Sequence, residues 1–201
     1  MNNTEIKRYY IYGEKYDWTT EPKRFERLFH NKREEEIVRL IEKHSNNATV
    51  LDVGCGTGFI TRHLIGDVIG LDINRWNLDR AKNNSPDTEF ILGDIENLPI
   101  RDLMVDTVVC TETLEHLPDP KRAVNEVFRV LNSKGKFIGS VPSNSIIWRF
   151  RKRFLTTCPV SEPFHNNYSK RRLKSLLRRF KLIRVFSGAF GLIIMFVVRK
   201  R

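Results

Sequence analysis

Short apolar runs separated by polar turns fill the middle of the chain. They are rich in valine, isoleucine and leucine and are too short for buried helices, which favours β-strands. Segments with the helical spacing of apolar residues separate several of these runs, and strands that alternate with helices form a mostly parallel sheet. The pattern therefore predicts an α/β fold with strands at residues 50–53, 68–73, 90–93, 105–111 and 135–142.

Helices are predicted after the first, second and fourth of these strands, at residues 59–64, 75–83 and 120–131. The last of these segments gives the clearest signal, because its apolar residues recur on one face of a helix. They are Ala123, Val124, Val127, Val130 and Leu131.

The two ends of the chain extend this plan. Residues 22–45 mix apolar and charged positions in a way that predicts one or two helices covering a sheet edge. Near the C-terminus, Ser169 is a typical N-cap before a basic helix with an apolar stripe. Residues 182–186 and 192–198, joined by a glycine-containing turn, predict a terminal hairpin. The stripe consists of Leu173, Leu176, Leu177 and Phe180.

Composition and length fit a single compact domain. The chain has 201 residues, of which 40% are hydrophobic, and this is enough for one sizeable core. The N-terminal residues are polar and charged, without the apolar run of a signal peptide. The longest apolar stretch, residues 192–198, is too short to cross a bilayer, and the three cysteines lack disulfide or metal-ligand spacing. We therefore expect a cytoplasmic protein with reduced cysteines.

The formal charge of +11 is concentrated near the C-terminus. Residues 149–201 contain 15 Lys or Arg against the single acid Glu162, whereas residues 1–148 contain 20 basic and 23 acidic residues. A solvated basic surface accounts for such a distribution without any function. The functional alternatives are an anionic substrate, an anionic membrane surface and nucleic acid.

Residues 50–58 combine an apolar strand, an acid and three glycines at alternate positions. Glycines let backbone N–H groups approach a ligand closely, and they tolerate the positive φ of a tight turn from a strand into a helix. A dinucleotide-binding fingerprint would place its third glycine at position 59, where this chain has Phe59. Asp52 lies inside the strand end and offers an acceptor to a ligand with donors or positive charge. A ligand with an ammonium and a sulfonium group fits both features.

Acidic residues also end the second and third predicted strands. Asp72 lies 18 residues after Gly54, and at the carboxyl edge of a doubly wound sheet such a carboxylate can accept both ribose hydroxyl protons. Asp94 follows the third strand. Each acid alone is equally well explained as a helix cap, and each glycine as an ordinary turn residue. Their joint occurrence at successive strand ends favours the binding interpretation.

In this order, the segments resemble the motifs of the class I S-adenosylmethionine-dependent methyltransferases over roughly residues 49–142. The resemblance implies a Rossmann-like, doubly wound, seven-stranded sheet that is mostly parallel with an antiparallel C-terminal strand. It also implies S-adenosylmethionine as the cofactor and S-adenosylhomocysteine as the product, with an acid and an apolar residue after strand three at the adenine ring. The implied cofactor-binding residues are Asp52, Gly54, Cys55, Gly56, Thr57, Gly58, Asp72, Ile73, Asp94, Ile95 and Thr111.

Residues 105–120 resemble motif IV of this family and the loop that follows it. His116 lies just beyond the fourth strand, where the methyl group is expected, and His165 lies in the loop above it. Methyl transfer is an in-line displacement that needs an aligned nucleophile and exclusion of water, and a hydroxyl or amine must also lose a proton. Histidine suits a base near neutral pH, so both residues are candidate catalytic groups. The competing interpretation is structural, with His116 capping a turn before Pro118.

Glu112, Glu115 and His116 form an E-x-x-E-H cluster. The matching residues of ubiquinone-pathway O-methyltransferases, a subgroup that this chain resembles, are associated with a divalent ion, which would lower the pKa of a substrate hydroxyl. Similar E-H-L-P-D-P sequences occur in relatives without a known metal requirement. We therefore expect no metal centre and assign these three residues to loop anchoring, with metal binding as the alternative.

Residues 143–168 resemble the insertion after strand five in the same subgroup, and we interpret them as the substrate loop. One interpretation of the loop is a lid packed on the core. A second places its rings in a lipid interface while its cations meet headgroups, which predicts peripheral membrane contact through residues 146–155. Contact with nucleic acid is the third. The residues concerned are Trp148, Arg149, Phe150, Arg151, Lys152, Arg153 and Phe154.

The sequence thus predicts a methyltransferase acting on a small-molecule acceptor, anionic or lipidic in view of the basic loop. Methylation of RNA or protein is the alternative, and the lack of a recognisable RNA-binding module and of an N-P-P-Y-like motif after strand four weighs against it. A cofactor-binding protein without catalysis is the second alternative, and the intact acids of the motifs weigh against that. The predicted single domain comprises an N-terminal helical cap (1–48), a cofactor-binding core (49–142), the substrate loop (143–168) and a C-terminal helix and hairpin (169–201).

Overall fold

The structure of the chain is a computed structural model that describes residues 2–12, 24–45, 48–145 and 165–201. Within these residues, five helices and seven strands alternate much as the apolar pattern predicts. The helices are α1 (Asn3–Tyr12), α2 (Arg24–His44), α3 (Arg75–Asn84), α4 (Pro120–Val130) and α5 (Lys170–Leu176). The strands are β1 (Thr49–Val53), β2 (Asp67–Asp72), β3 (Glu89–Leu92), β4 (Val105–Thr111), β5 (Leu131–Pro142), β6 (Lys181–Gly188) and β7 (Ile193–Arg199).

The seven strands form one sheet in the order β3-β2-β1-β4-β5-β7-β6. β1 pairs in parallel with β2 and β4, and the pairs β2–β3 and β4–β5 are also parallel. β7 runs antiparallel to both of its neighbours. This confirms the predicted α/β, doubly wound sheet with an antiparallel C-terminal strand. The strand order reverses between β1 and β4, and ligands of open α/β sheets bind at such a switch point.

β7 accounts for the longest apolar run of the sequence. Its first six residues are buried, and they alternate between the two faces of the sheet. Helices or connecting segments cover both faces, so all six of these buried positions are apolar. Ile193, Met195 and Val197 join the core under α2, whereas Ile194, Phe196 and Val198 join the core under α4 and α5. Among the described residues, no helix is long and apolar enough to cross a membrane.

The helix predicted at residues 59–64 is wrong. Only a short 3-10 turn, Thr61–His63, forms there. Glycines with positive φ lie on both sides, Gly58 at 82° and Gly66 at 111°, and they leave too few residues for a stable α-helix. The Thr61 hydroxyl also donates to Asp52 Oδ2 at 2.7 Å, which holds the turn against β1.

The described ends of the predicted substrate loop are tied together at the end of β5. The Tyr168 N–H donates to the Pro142 carbonyl and the Asn144 N–H donates to the Tyr168 carbonyl, both at 2.9 Å. Residues 146–164 lie outside the described residues, together with Trp148, Arg149, Phe150, Arg151, Lys152, Arg153 and Phe154. Membrane contact through residues 146–155 therefore stays a prediction.

Candidate cofactor and active site

A cavity of about 260 Å³ opens at the carboxyl ends of the four strands around the switch point. Each of these strands is followed by a turn that contributes to the wall, because parallel strands end at the same edge of the sheet. α1 contributes Lys7 and Tyr10 to the wall. The turns contribute Gly54 and Gly56 after β1, Ile73 and Asn74 after β2, Gly93 and Asp94 after β3, and Glu112 and Thr113 after β4.

The glycine turn after β1 is fixed by its contacts with β2 and β4. The N–H groups of Gly54 and Cys55 both donate to the Leu71 carbonyl, at 2.7 and 3.0 Å. Gly54 has φ 69°, and a Cβ built there would lie 2.4 Å from the Thr113 side chain. A Cβ on Gly56 would meet nothing within 4 Å, and Gly56 lines the cavity. The turn thus leaves space beside Gly56 for a ligand to approach the backbone.

Asp72 connects the glycine turn to the start of α3. Its Oδ2 accepts the Gly56 N–H at 2.8 Å, and its Oδ1 accepts the Asn74 N–H at 2.8 Å and the Asn77 side-chain amide at 3.2 Å. Burial raises the pKa of Asp72, and these hydrogen bonds oppose the rise. A carboxylate has about four acceptor positions, so a ligand hydroxyl can be added without displacing these three donors.

Asp94 has a cation beside it. Lys7 of α1 contacts Asp94 Oδ2 at 2.5 Å and Glu96 Oε2 at 2.6 Å. Partial burial lowers the pKa of Lys7, but the hydrogen bonds to both carboxylates outweigh this effect and raise it. Asp94 Oδ1 accepts the Glu96 N–H at 2.9 Å. α1 is therefore fastened to the acid that the family resemblance assigns to adenine.

Asp52 lies behind the glycine turn and is only 1% exposed. Its Oδ2 accepts the Thr61 hydroxyl, and no group in the part of the chain that the structure describes donates to Oδ1. Burial raises the pKa of Asp52 to about 7, and the charge of Asp72 adds to the rise while the Thr61 hydrogen bond opposes it. A buried carboxylate with an unsatisfied oxygen favours a cationic ligand nearby, which fits S-adenosylmethionine.

The cavity wall contains six of the eleven predicted cofactor-binding residues, namely Gly54, Gly56, Asp72, Ile73, Asp94 and Ile95. The other five support the wall from behind. Asp52 and Cys55 are buried, and Gly58 packs on Ala81, whose Cα lies 3.1 Å from the position of a Cβ there. The carbonyl of Thr57 accepts the Asn84 amide, and that of Thr111 accepts the Thr113 hydroxyl.

The two candidate catalytic histidines lie together beyond β4. His116 lines the cavity, and its ring centroid is 5.4 Å from that of His165. The Tyr10 hydroxyl lies 3.1 Å from His116 Nδ1, and Glu115 Oε1 lies 3.8 Å from Nε2. The structure therefore brings together the two predicted histidines and one aromatic residue of α1.

The E-x-x-E-H cluster is divided between different environments. Glu112 has φ 51°, and its Oε1 accepts the Ser140 hydroxyl at 2.8 Å. Glu115 is 1% exposed, and its backbone carbonyl accepts the Asn166 N–H at 2.9 Å. No group of three potential ligands for a metal ion occurs among the described residues. The contacts of Glu112 and Glu115 therefore favour loop anchoring.

Sequence reasoning missed several residues of the wall, namely Lys7, Tyr10, Asn74, Asn77 and Thr113. The N-cap preference could have identified Asn74, whose side chain accepts the Trp76 N–H at 2.9 Å. Lys7 and Tyr10 carry no such signal, because α1 reaches the cavity only through tertiary packing.

Comparisons with known proteins agree with the fold described above. Residues 51–139 match the family described as methyltransferase domain. The 2-methyl-6-phytyl-1,4-hydroquinone methyltransferase of Spinacia oleracea is 32% identical over 142 residues, which cover 66% of this chain and 41% of that protein. The human mitochondrial arginine-hydroxylase NDUFAF5 is 30% identical over 117 residues, which cover 56% and 34%. This chain thus spans less than half the length of the curated relatives that it matches.

Solved structures show the same fold. The structure of magnesium protoporphyrin IX methyltransferase from Synechocystis PCC 6803 with bound S-adenosylhomocysteine has a TM-score of 0.75 at 16% identity, and the match covers 100% of both chains. A likeness at this identity shows the fold alone. Together with the glycine turn and the strand-end acids, these findings show a methyltransferase domain at residues 51–139 and support its assignment to the class I S-adenosylmethionine-dependent type.

Proposed function

We propose that the chain transfers a methyl group from S-adenosylmethionine to a small-molecule acceptor that binds beside His116. The observation that carries the proposal is the composition of the cavity. One part of its wall has the glycine turn and Asp72, which suit an adenosyl ligand, and another part has His116, which suits proton removal.

The residues of the first part match the chemistry of the cofactor. Asp72 has acceptor capacity for a ribose hydroxyl, Gly56 allows close approach to the backbone, and Asp52 provides negative charge behind the turn. Bound S-adenosylmethionine would supply an electrophilic methyl group on a positively charged sulfur. Asp94 is the proposed partner of the adenine amino group, and Lys7 contacts its Oδ2 at 2.5 Å.

His116 is the proposed base. Its Nδ1 lies within hydrogen-bond distance of the Tyr10 hydroxyl, which orients the ring. The carboxylate of Glu115 is 3.8 Å from Nε2, so it would stabilise the positive charge that the ring acquires when it takes a proton. His165 packs against the same ring, which gives it a supporting role in this scheme.

The acceptor is proposed to be anionic or lipidic. Residues 165–201 contain 11 Lys or Arg and no Asp or Glu, so the described surface beyond β5 attracts negative charge. The names of the hydroquinone and porphyrin methyltransferases among the similar proteins support a small organic acceptor over a macromolecule.

The test is incubation of the protein with methyl-labelled S-adenosylmethionine and fractionated cell extract. We expect label in the small-molecule or lipid fraction, and much less of it at low cofactor concentration when Asp72 is replaced by Ala. One relative is named a hydroxylase, so the mass of the labelled product should also be measured. We expect it to increase by the mass of a methyl group and not by that of an oxygen atom. Label that enters only RNA or protein would contradict the proposed acceptor class, and binding without any transfer would contradict catalysis.

A further inference from the structure

A second concave surface, which we call the basic groove, lies between the start of α4 and α5. Its volume is about 560 Å³, within the size range of small-molecule sites. Five cations line it, and no carboxylate is among its lining residues. The cations are Lys121, Arg171, Arg172, Arg178 and Arg179.

The charge of the groove is not neutralised by neighbouring acids. In the part of the chain that the structure describes, none of the five cations forms an ion pair with a carboxylate. Asp119 is next to the groove in sequence, but its Oδ1 accepts the N–H groups of Lys121 and Arg122 as the N-cap of α4. Five like charges that share one concavity repel each other, and a bound anion would relieve this repulsion.

Two of the guanidinium groups are oriented by neutral partners. Arg179 lies 4.2 Å from the centre of the Phe128 ring and donates to Asn125 Oδ1 at 2.7 Å. Arg172 lies 5.0 Å from the centre of the Tyr168 ring. Such contacts restrict the side chains without cancelling their charge, so less conformational entropy is lost when an anion binds.

The groove borders the active site. Pro118 lines the cofactor cavity, whereas Pro120 lines the basic groove, so one short loop separates the two. On the other side, the chain runs from His165, which packs on His116, to Tyr168, which lines the groove. An acceptor with its reacting atom at His116 could therefore extend an anionic group into the groove.

We propose that the basic groove binds a phosphate group of the acceptor, an inference that rests on the proposed function because it places that acceptor beside His116. Guanidinium groups match the oxygen geometry of phosphate and bind it through paired, charge-assisted hydrogen bonds. A site built from four arginines and one lysine suits a phosphate monoester or diphosphate better than a singly charged carboxylate. The concave shape suits a discrete ligand better than a flat bilayer or an extended nucleic acid.

The test compares two double variants of the same helical region. Arg172→Gln with Arg179→Gln removes the two oriented cations of the groove. Lys170→Gln with Lys174→Gln removes the same charge from α5 at exposed positions outside the groove. The measurement is titration calorimetry with inorganic pyrophosphate at saturating S-adenosylhomocysteine. The groove variant should bind pyrophosphate at least about tenfold more weakly than the wild type, and the lysine variant should bind it with wild-type affinity. Thermal unfolding checks that each variant is folded.

A second groove variant covers the case in which loss of the Arg179 contacts unfolds the protein. Arg171→Gln with Arg178→Gln removes two groove cations that have no ring or amide partner among the described residues, and the same loss of pyrophosphate binding is expected. Sedimentation with phosphatidylcholine vesicles, with and without phosphatidic acid, tells whether the phosphate belongs to a soluble acceptor or to a lipid headgroup. If the protein sediments with the vesicles only when phosphatidic acid is present and the groove cations are intact, the phosphate belongs to a lipid headgroup.

Three results would overturn the proposal. Equal losses of pyrophosphate affinity in the groove variants and the lysine variant would show a nonspecific charge effect. A folded wild type that binds S-adenosylhomocysteine but neither pyrophosphate nor phosphatidic acid would show that the groove is not a phosphate site. Groove-dependent binding of a single-stranded RNA without pyrophosphate binding would assign the surface to nucleic acid. A chain that fails to bind S-adenosylhomocysteine contradicts the proposed function instead, so the two failures are distinguishable.

Discussion

The cofactor cavity and the basic groove lie on either side of one loop and are built in opposite ways. Backbone groups and buried acids form the cavity, where Asp72 alone fixes three donors, one from the glycine turn and two from the start of α3. The groove is lined mainly by exposed side chains of α4, α5 and the turn after α5, and neutral partners orient only two of its five cations. The cavity is therefore constrained by the fold, whereas the groove can change with few consequences for folding.

This difference predicts where substitutions are costly. In the cavity, a single added atom or lost acceptor disturbs backbone geometry or leaves a buried group unpaired. In the groove, replacement of an exposed cation removes charge but leaves the core intact, and surface substitutions of this kind usually change stability little.

The glycine turn should be the most sensitive element. Gly54→Ala should lower the free energy of unfolding by roughly 2–4 kcal/mol, because the left-handed conformation costs about 1–2 kcal/mol for an L-residue and the clash with Thr113 adds to it. Gly56→Ala should cost only about 1–2 kcal/mol, since its Cβ meets no neighbour. Denaturant unfolding of both variants measures the difference.

The matched pair also separates stability from binding. Gly56→Ala should weaken S-adenosylhomocysteine binding in a folded protein, because the new methyl group projects into the cavity. Adding Thr113→Ala to Gly54→Ala should recover part of the lost stability, since it removes the clashing atoms. Equal destabilisation by both single variants, without recovery, would show that the contact with Thr113 does not constrain the turn.

Replacement of His116 tests the catalytic part of the wall. His116→Ala should reduce turnover by roughly 100-fold or more if the residue is the general base, and should leave cofactor affinity within a few fold. Steady-state rates with the identified acceptor, together with calorimetry of S-adenosylhomocysteine, measure the two effects. Parallel losses of both would indicate a structural role for His116.

Asp72 should control affinity rather than chemistry. Asp72→Ala should weaken S-adenosylhomocysteine binding by about one to two orders of magnitude, because a charge-assisted hydrogen bond is worth roughly 1.5–3 kcal/mol. Asp72→Asn should lose less, since it retains an acceptor for the turn. Unchanged affinity of the Ala variant in calorimetry would remove Asp72 from the ligand contacts.

The same division explains what the sequence could predict. Strands and the acids at their ends are local signals, so Asp72 and Asp94 could be placed at the cavity before the fold was known. The contribution of α1 could not, because Lys7 reaches Asp94 across 87 positions of the chain and helical spacing says nothing about such a contact. The short turn at Thr61 was missed for a related reason, since its geometry depends on buried Asp52.

The basic groove was only partly predictable. The excess of cations near the C-terminus is evident in the sequence, but sequence alone cannot tell a concave site from a solvated surface. That distinction needs the packing of α4 beside α5, which brings Lys121 close to arginines about fifty residues later in the chain. Long-range contacts of this kind therefore account for most of the features that the sequence pattern did not predict.

The smallest expected effect concerns Asp52, the buried carboxylate behind the glycine turn. With a pKa of about 7 in the folded protein, Asp52 is mostly protonated below neutral pH and mostly ionised above it. A cationic ligand favours the ionised form, so cofactor affinity should rise with pH. The expected gain is about tenfold between pH 6 and pH 8, levelling off at higher pH.

The Asp52→Asn variant provides the control, because its side chain has nearly the same shape and no titratable proton. Calorimetry of S-adenosylmethionine in the same buffers removes the contribution of the ligand's own ionisation, since both proteins experience it. The wild type should show the additional pH dependence, with proton release on binding near neutral pH, and the variant should not. Identical profiles would mean that the buried carboxylate keeps one protonation state, and that its charge does not attract the cofactor.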